Sequence, residues 1–402
     1  MNLPISFTMN YPNRKLLFVL PAFYRNGAVD LVVNLSEELA DLEQQVTILA
    51  VQSVEKHSRL PKASVRVEIA VSSGKSLKLN IHQYLTKLAK EIALADVVFL
   101  PWENGPAFTY PSLIARLLNK PTVAIVQNNL QKTAIDYPNA ISPHLTRWAY
   151  SQAKAVVCVS QDLKAIALSE LKLQKERVTG ICNGMNLETI RAKAKQPDST
   201  DLFLNNDVPT VVAIGRLASQ KGFDLLIQSH AEVIRKGIKH QLIVLGEGED
   251  LVTLQQLTQK LGVASSVNFL GFVANPLPIL AKADLFCMSS RYEGLPLSLI
   301  EAAILGVPAI STNCPTGPRE VLANGRYGDL VANESVTELT NAIARHLQNP
   351  QRLAAKAKAS QENVQRLSMQ SCARRYLALT NRLLERSAID ISIRSNPVED
   401  FG

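Results

Sequence analysis

The 402-residue sequence predicts an α/β protein of two doubly wound, Rossmann-like domains facing a central cleft, with a C-terminal helix returning to the first domain. Three observations predict it. Short apolar runs alternate with helix-length segments whose apolar residues recur at three-and-four spacing, as in a parallel sheet covered on both faces. This alternation runs twice, before and after a polar stretch at 191–201. A helical tail then follows the second round, with Leu, Val, Ala and Tyr at helical spacing.

In chain order, strands are expected at 16–20, 46–51, 65–71, 97–101, 122–127, 155–159 and 178–182. Helices between them are expected at 28–42, 77–93, 112–118, 143–153 and 161–171. The stretch 191–201 is poor in large apolar residues, and a linker is expected over 191–206. The second round predicts strands at 210–214, 241–245, 267–270, 285–288, 309–311 and 328–331, and helices at 223–235, 251–261, 277–281, 297–305 and 336–347. The tail is helical over 353–387 and frayed from 389. The expected division is 1–190 as an acceptor-binding domain, 207–370 as a nucleotide-sugar-binding domain, and 371–402 crossing back to the first domain.

Composition excludes several classes. The apolar runs are strand-sized, far below the ~18 residues that a membrane span needs, and the N-terminus lacks a secretory pattern, so a cytoplasmic location is expected. Five scattered cysteines, 158, 182, 287, 314 and 372, argue against a disulfide framework or a zinc cluster. The net charge of +8 is uneven: residues 1–200 hold 23 Lys and Arg against 16 Asp and Glu, and residues 201–402 hold 20 against 19. A basic first half suits an anionic membrane surface, at the inner face of the plasma membrane, or a phosphate-linked acceptor. Scattered solvated lysines are the other reading. Nucleic acid is not expected, since dense basic blocks and aromatic interleaving are missing.

The chemistry concentrates in residues 289–320. Glu293 precedes an apolar helix and Glu301 sits within it, flanked by Leu299, Ile300, Ala302 and Ala303. A carboxylate there loses hydration and needs a partner, for which a polyhydroxyl ligand is one candidate. The first helical turn leaves backbone N–H groups beside Gly294 to meet an anion such as a diphosphate. The alternative is an ordinary capped helix, with Glu293 solvated and Glu301 in an internal salt bridge. Cys314, beside this region, is a weak nucleophile candidate with no histidine near it in sequence.

After the strand at 210–214 come Gly215-Arg216-Leu217 and Lys221-Gly222, a guanidinium and an ammonium at a strand-to-helix crossover. Together they can balance a diphosphate and stabilise it as a leaving group, or they are two solvated cations. Gly246-Glu-Gly-Glu249 permits close backbone approach after the next strand. Asn26-Gly27-Ala28 lies at the first strand-to-helix turn but lacks a full GxGxxG pattern, so a dinucleotide site is not expected.

With Gly215-Arg-Leu, Lys221-Gly, Gly246-Glu-Gly, Leu270-Gly-Phe272 and Glu293-Gly-Leu-Pro with Glu301, the chain resembles family 4 of the retaining glycosyltransferases, of GT-B fold. The likeness spans nearly the whole chain and is most specific over 210–330; Asn183-Gly-Met-Asn186 resembles the segment closing the family's first domain. Thr312-Asn-Cys-Pro-Thr-Gly-Pro-Arg-Glu320 is similar to a loop of bacterial transferases that build lipid-linked glycans, O-antigens and exopolysaccharides. The resemblance implies a UDP-hexose or UDP-N-acetylhexosamine donor and a glycan or lipid-linked acceptor. It implies Arg216 and Lys221 on the diphosphate, Glu301 on the ribose, and Glu293 near the transferred sugar. Gly27, Gly294, Leu295, Gly246, Phe272 and Gln127 would line the donor. It also implies same-face attack with no protein nucleophile; no Asp-x-Asp occurs, so neither metal nor cofactor is expected.

One departure is Val126-Gln127-Asn128-Asn129, where many relatives carry a histidine against the donor sugar. Gln127 can hydrogen-bond a hydroxyl but cannot carry a proton as imidazole does. That substitution motivates a second hypothesis, a catalytically inactive nucleotide-sugar-binding paralogue. A sugar-nucleotide 2-epimerase is disfavoured by the pair Glu293 and Glu301, and His144 reads as a surface residue at a helix start.

Overall fold

The computed structural model describes residues 11–23, 27–52, 60–72, 76–102, 105–127, 143–196 and 208–395. Asn26, Asn128, Asn129, 197–206 within the expected linker and 396–402 of the expected frayed tail lie outside them, as does the side chain of His144. Two compact units emerge. One comprises 1–158, 167–181 and 369–402; the other comprises 159–166 and 182–368.

The first unit is a seven-stranded sheet of β1 (Lys15–Leu20), β2 (Gln45–Ala50), β3 (Arg66–Ile69), β4 (Val97–Leu100), β5 (Thr122–Val126), β6 (Ala155–Cys158) and β7 (Val178–Gly180). Their order is β3-β2-β1-β4-β5-β6-β7, and every pair is parallel. Helices cover both faces of such a sheet, so its inner strands are buried and read as unbroken apolar runs: all four residues of β4 and of β6, and all five of β5, are buried. The helix Met369–Ser395 belongs to this unit and packs on the helix Gly27–Asp41. Its buried Tyr376 meets Phe99 of β4 edge-on at 5.9 Å.

The second unit is a six-stranded parallel sheet of β8 (Thr210–Ile214), β9 (Gln241–Leu245), β10 (Val267–Gly271), β11 (Leu285–Met288), β12 (Ala309–Thr312) and β13 (Asp329–Val331), in the order β10-β9-β8-β11-β12-β13. Chain order reverses between β8 and β11. A crevice forms at such a reversal, outside the carboxyl ends of the strands, because the loops following the two strands turn to opposite faces. The core beneath is aliphatic, built from Val211, Leu226, Leu242, Val244, Leu285, Ile310 and Ile343 among others.

Several boundaries differ from expectation. The third helix of the first unit begins at Pro106 rather than 112 and carries the buried Pro111 inside it. Gly105 at φ 75° sets its start and Pro106 takes the first turn, where a missing N–H costs nothing. The stretch read as a linker opens within the helix Leu187–Ala194, whose start is fixed by the Asn186 side chain accepting from the Thr189 N–H at 2.9 Å. The tail is broken: Gln351–Glu362 gives way to a 3-10 turn, Val364–Leu367, and an extended Ser368 before the last helix. The break buries Val364 and Leu367 and frees the Leu367 carbonyl to accept the Met185 N–H at 2.9 Å. That last helix persists to Ser395, past the expected fraying point.

Candidate functional site

In the second unit, the loop after β8 and the loop after β11 flank the reversal of strand order. The first carries Gly215, Arg216 and, on a 3-10 turn Ser219–Lys221, Lys221. The second carries Ser289, Ser290, Arg291 and Glu293 before the helix Leu297–Leu305. They meet at one ion pair: Lys221 Nζ donates to Glu293 Oε1 at 2.6 Å, with the Glu293 side chain 7 % exposed and that of Lys221 23 %. Ser290 Oγ donates to the same oxygen at 2.6 Å. Glu293 is therefore not a solvated first-turn acid. Its carboxylate replaces lost hydration with two donors, one of them charged.

Backbone around Glu293 is fixed as tightly. Thr316 Oγ1 donates to the Glu293 carbonyl. A Cβ added at Gly317, at φ 91°, would lie 2.5 Å from Pro296 Cδ and 2.9 Å from the Gly294 oxygen, so the loop after β12 rests directly on Gly294-Leu295-Pro296. Leu295 is buried there. Burial, with Glu293 adding to it, pushes the nearby Cys314 thiol up to about 12, which removes the thiolate that a nucleophile requires.

The other cation differs. Arg216 leaves its side chain 61 % exposed, and among the described residues its ion pairing is a distant 3.9 Å approach to the equally exposed Glu249, so it can swing to an arriving anion. Its backbone is held by the end of β9 and the loop after it: Gly215 N–H donates to the Leu245 carbonyl and Leu217 N–H to the Glu247 carbonyl. Gly246, at φ 140°, makes this approach feasible, since a Cβ there would run into the Gly215 carbonyl oxygen. Phe272, half exposed at the end of β10, donates its N–H to Glu247 Oε1 at 3.3 Å.

Glu301 lies in the second turn of the helix Leu297–Leu305, which is closed by Gly306 at φ 74°. The internal salt bridge considered for it does not form: among the described residues no hydrogen bond or ion pair reaches its carboxyl. Burial pushes that carboxyl up to about 7, with the Lys193 ammonium pulling the other way. A group in this state has capacity for hydroxyl donors that the protein itself does not fill.

The structure thus gathers Arg216, Lys221, Gly246, Phe272, Glu293, Gly294, Leu295 and Glu301 in one unit, on its strand-end loops and the helix that follows β11. Gln127 and Gly27 belong to the other unit. Gln127 is buried at the end of β5 and donates from Nε2 to the Pro101 carbonyl at 2.8 Å; Gly27 opens the helix Gly27–Asp41. Sequence reasoning did not single out Ser290, Arg291 or Thr316. The first two stand in the same Ser-Ser-Arg-Tyr-Glu-Gly run as Glu293, and Thr316, at φ 75°, stands in the Thr312–Glu320 loop; membership of those runs was the available signal. Among the described residues, no three His, Cys, Asp or Glu side chains gather as a metal ligand set, and no helix is long and apolar enough to cross a membrane.

Family models described as Glycosyltransferase Family 4 and Glycosyl transferases group 1 match residues 25–189 and 194–364. A glycosyltransferase of Methanocaldococcus jannaschii is 35% identical over 44% of this chain and 44% of its own length, less than half of that relative. The amylovoran biosynthesis glycosyltransferase AmsD of Erwinia amylovora is 25% identical over 82% of this chain and 90% of its own. A GDP-mannose-dependent phosphatidylinositol monomannoside mannosyltransferase of Mycolicibacterium smegmatis is 37% identical over 37% of this chain and 41% of its own. Among solved structures, Anabaena HepE in complex with UDP aligns with a TM-score of 0.76 at 19% identity, over 92% of this chain and 100% of that one. HepE is also solved with UDP-glucose.

Proposed function

The chain belongs to the family 4 glycosyltransferases, of GT-B fold, and on that premise we propose that it moves a hexose or N-acetylhexosamine, with retention of configuration, from a UDP-linked donor to a glycan or lipid-linked acceptor. Glycosyl transfer in polysaccharide or glycolipid synthesis is its activity. The observation that carries the finer reading is the Lys221–Glu293 pair, with Arg216 beside it in sequence on the same strand-end loop.

Charge determines the roles. The diphosphate of a departing nucleotide gains negative charge as the glycosidic bond breaks, and Arg216 and Lys221 neutralise it. Glu293, held by Lys221 and Ser290, faces the transferred sugar. The unfilled carboxyl of Glu301 takes the ribose hydroxyls. A phosphate oxygen of the leaving group accepts the proton of the acceptor hydroxyl, which attacks from the same face, and no protein atom bonds to the sugar. Transfer needs no metal in this scheme, because two side-chain cations meet the diphosphate.

The basic first half, whose leucines Leu79, Leu94 and Leu117 stand half or more exposed, favours peripheral contact with an anionic membrane holding a lipid-linked acceptor. A second donor reading, GDP-mannose, is favoured by the 37% identity to an enzyme named for that donor. The test is a screen of UDP-, GDP- and ADP-sugars with and without EDTA, measuring released nucleotide. EDTA-insensitive release from a UDP-sugar is the expected result. Release only from GDP-mannose would overturn the UDP assignment, and loss of release in EDTA would overturn metal independence.

A further inference from the structure

We infer that Arg291 is a positioning residue for the transfer, setting the reach of Lys221 by clamping the turn that carries it. The inference rests on the assignment of Lys221 to the donor diphosphate. Arg291 stands two residues before Glu293, in the loop after β11, and its guanidinium reaches away from Glu293 toward the loop after β8. Nη1 donates to the Ser219 carbonyl at 2.7 Å and to Asp224 Oδ1 at 2.9 Å, while Nη2 donates to Asp224 Oδ2 at 2.8 Å. Asp224 lies in the first turn of the helix Phe223–Arg235, which follows the 3-10 turn after Gly222. The fork is one that arginine makes and lysine cannot.

The remaining bonds between the two loops follow one pattern. The Arg291 N–H donates to the Gln220 carbonyl at 2.8 Å. Ser289 Oγ donates to the Lys221 carbonyl at 3.0 Å. With Ser219, three successive carbonyls of the turn Ser219–Lys221 thus all accept from residues 289 and 291. Gln220 Nε2 returns a bond to the Tyr292 carbonyl at 3.0 Å, and Asn333 Nδ2 holds the Arg291 carbonyl at 3.0 Å. Lys221 carries a long side chain at the end of a 3-10 turn only three residues long. Its base is located by the same loop that carries Glu293, so ammonium and carboxylate share one hydrogen-bonded frame. The guanidinium is the member that ties this frame to the helix Phe223–Arg235. A transition state that draws Lys221 toward the diphosphate needs that base fixed to within about 0.5 Å.

The test is a double-mutant cycle between Arg291→Lys and Lys221→Met, read in UDP and GDP affinity by calorimetry and in donor turnover as a split between kcat and KM. Expected is a loss of about tenfold in nucleotide affinity for Lys221→Met, a smaller loss for Arg291→Lys with kcat falling more than KM rises, and no added loss when Arg291→Lys is placed on Lys221→Met. Additive losses would overturn the positioning role and leave Arg291 as a fold stabiliser. Unchanged affinity in Lys221→Met alone, or binding of neither nucleotide to the unaltered chain, would overturn the diphosphate assignment and the inference with it. Should Arg291→Lys fail to fold, Asp224→Asn breaks the same fork from its other side and enters the cycle in its place.

Discussion

Glu301→Gln separates stability from binding in opposite directions. In the folded chain burial holds the Glu301 carboxyl at about 7, against 4.5 for the free group. The folded state thus binds this proton more tightly than the unfolded chain, so the stability linked to it is present below about pH 4.5 and is lost as pH rises through about 7. A carboxyl moved this far destabilises the folded protein by up to about 3 kcal/mol above pH 7, and partial exposure brings that nearer 1–2 kcal/mol. The glutamine chain escapes the penalty. Its midpoint should rise by about 2–8 °C near pH 8 and match the unaltered chain near pH 4.5. Nucleotide affinity should do the reverse. An ionised carboxylate accepts two ribose hydroxyls in charge-assisted bonds, so its loss weakens UDP by about tenfold or more. In the unaltered chain that affinity should climb as pH passes about 7, and in the glutamine chain it should stay flat. Thermal melts and calorimetry across this pH range measure both. A chain that loses stability near pH 8 would refute the desolvated carboxyl, and one that keeps its UDP affinity would refute the ribose role.

Other expectations are simpler. Gly246→Ala places a Cβ against the Gly215 carbonyl at a backbone angle that alanine rarely adopts, so it should cost about 1–3 kcal/mol by thermal melt and displace Arg216 enough to slow turnover; an unchanged midpoint would contradict the close packing of the two loops. Arg216→Ala should leave the midpoint unchanged, because that side chain is exposed and barely paired, while lowering donor turnover; full turnover would remove Arg216 from the diphosphate. Sedimentation with vesicles containing anionic lipid should carry the protein down and weaken with added salt, and salt-independent binding would contradict an electrostatic contact by the basic first half.

Both sheets were legible in the sequence because parallel strands covered on two faces leave unbroken apolar runs, as in Val97–Leu100 and Gln241–Leu245. Boundaries failed where a tertiary partner overrode a local signal. The helix expected from Ser112 begins six residues earlier at Pro106, with Pro111 inside it. Residues 363–368 read as helix, yet the backbone leaves it to receive Met185. The candidate site was legible as types of residue at strand ends, since glycines, cations and acids there follow the topology. Its pairing was not. Lys221 and Glu293 lie 72 positions apart, and nothing local says that Ser290 shares the same carboxylate oxygen or that Thr316 holds the carbonyl. The need of Glu301 for a partner was legible from its apolar neighbours. That no described residue answers the need with a hydrogen bond or ion pair is a fact of packing alone.

The most direct test of the account is the anomeric configuration of the first glycoside formed, read by proton NMR during turnover of the donor that the nucleotide-sugar screen selects, with lipid-linked acceptors supplied. Expected is a product with the configuration of the donor and no covalent sugar adduct on the protein. An inverted product would contradict it, requiring a protein base on the opposite face of the sugar. Tight donor binding with no product at all would contradict it too, identifying the chain as an inactive binder.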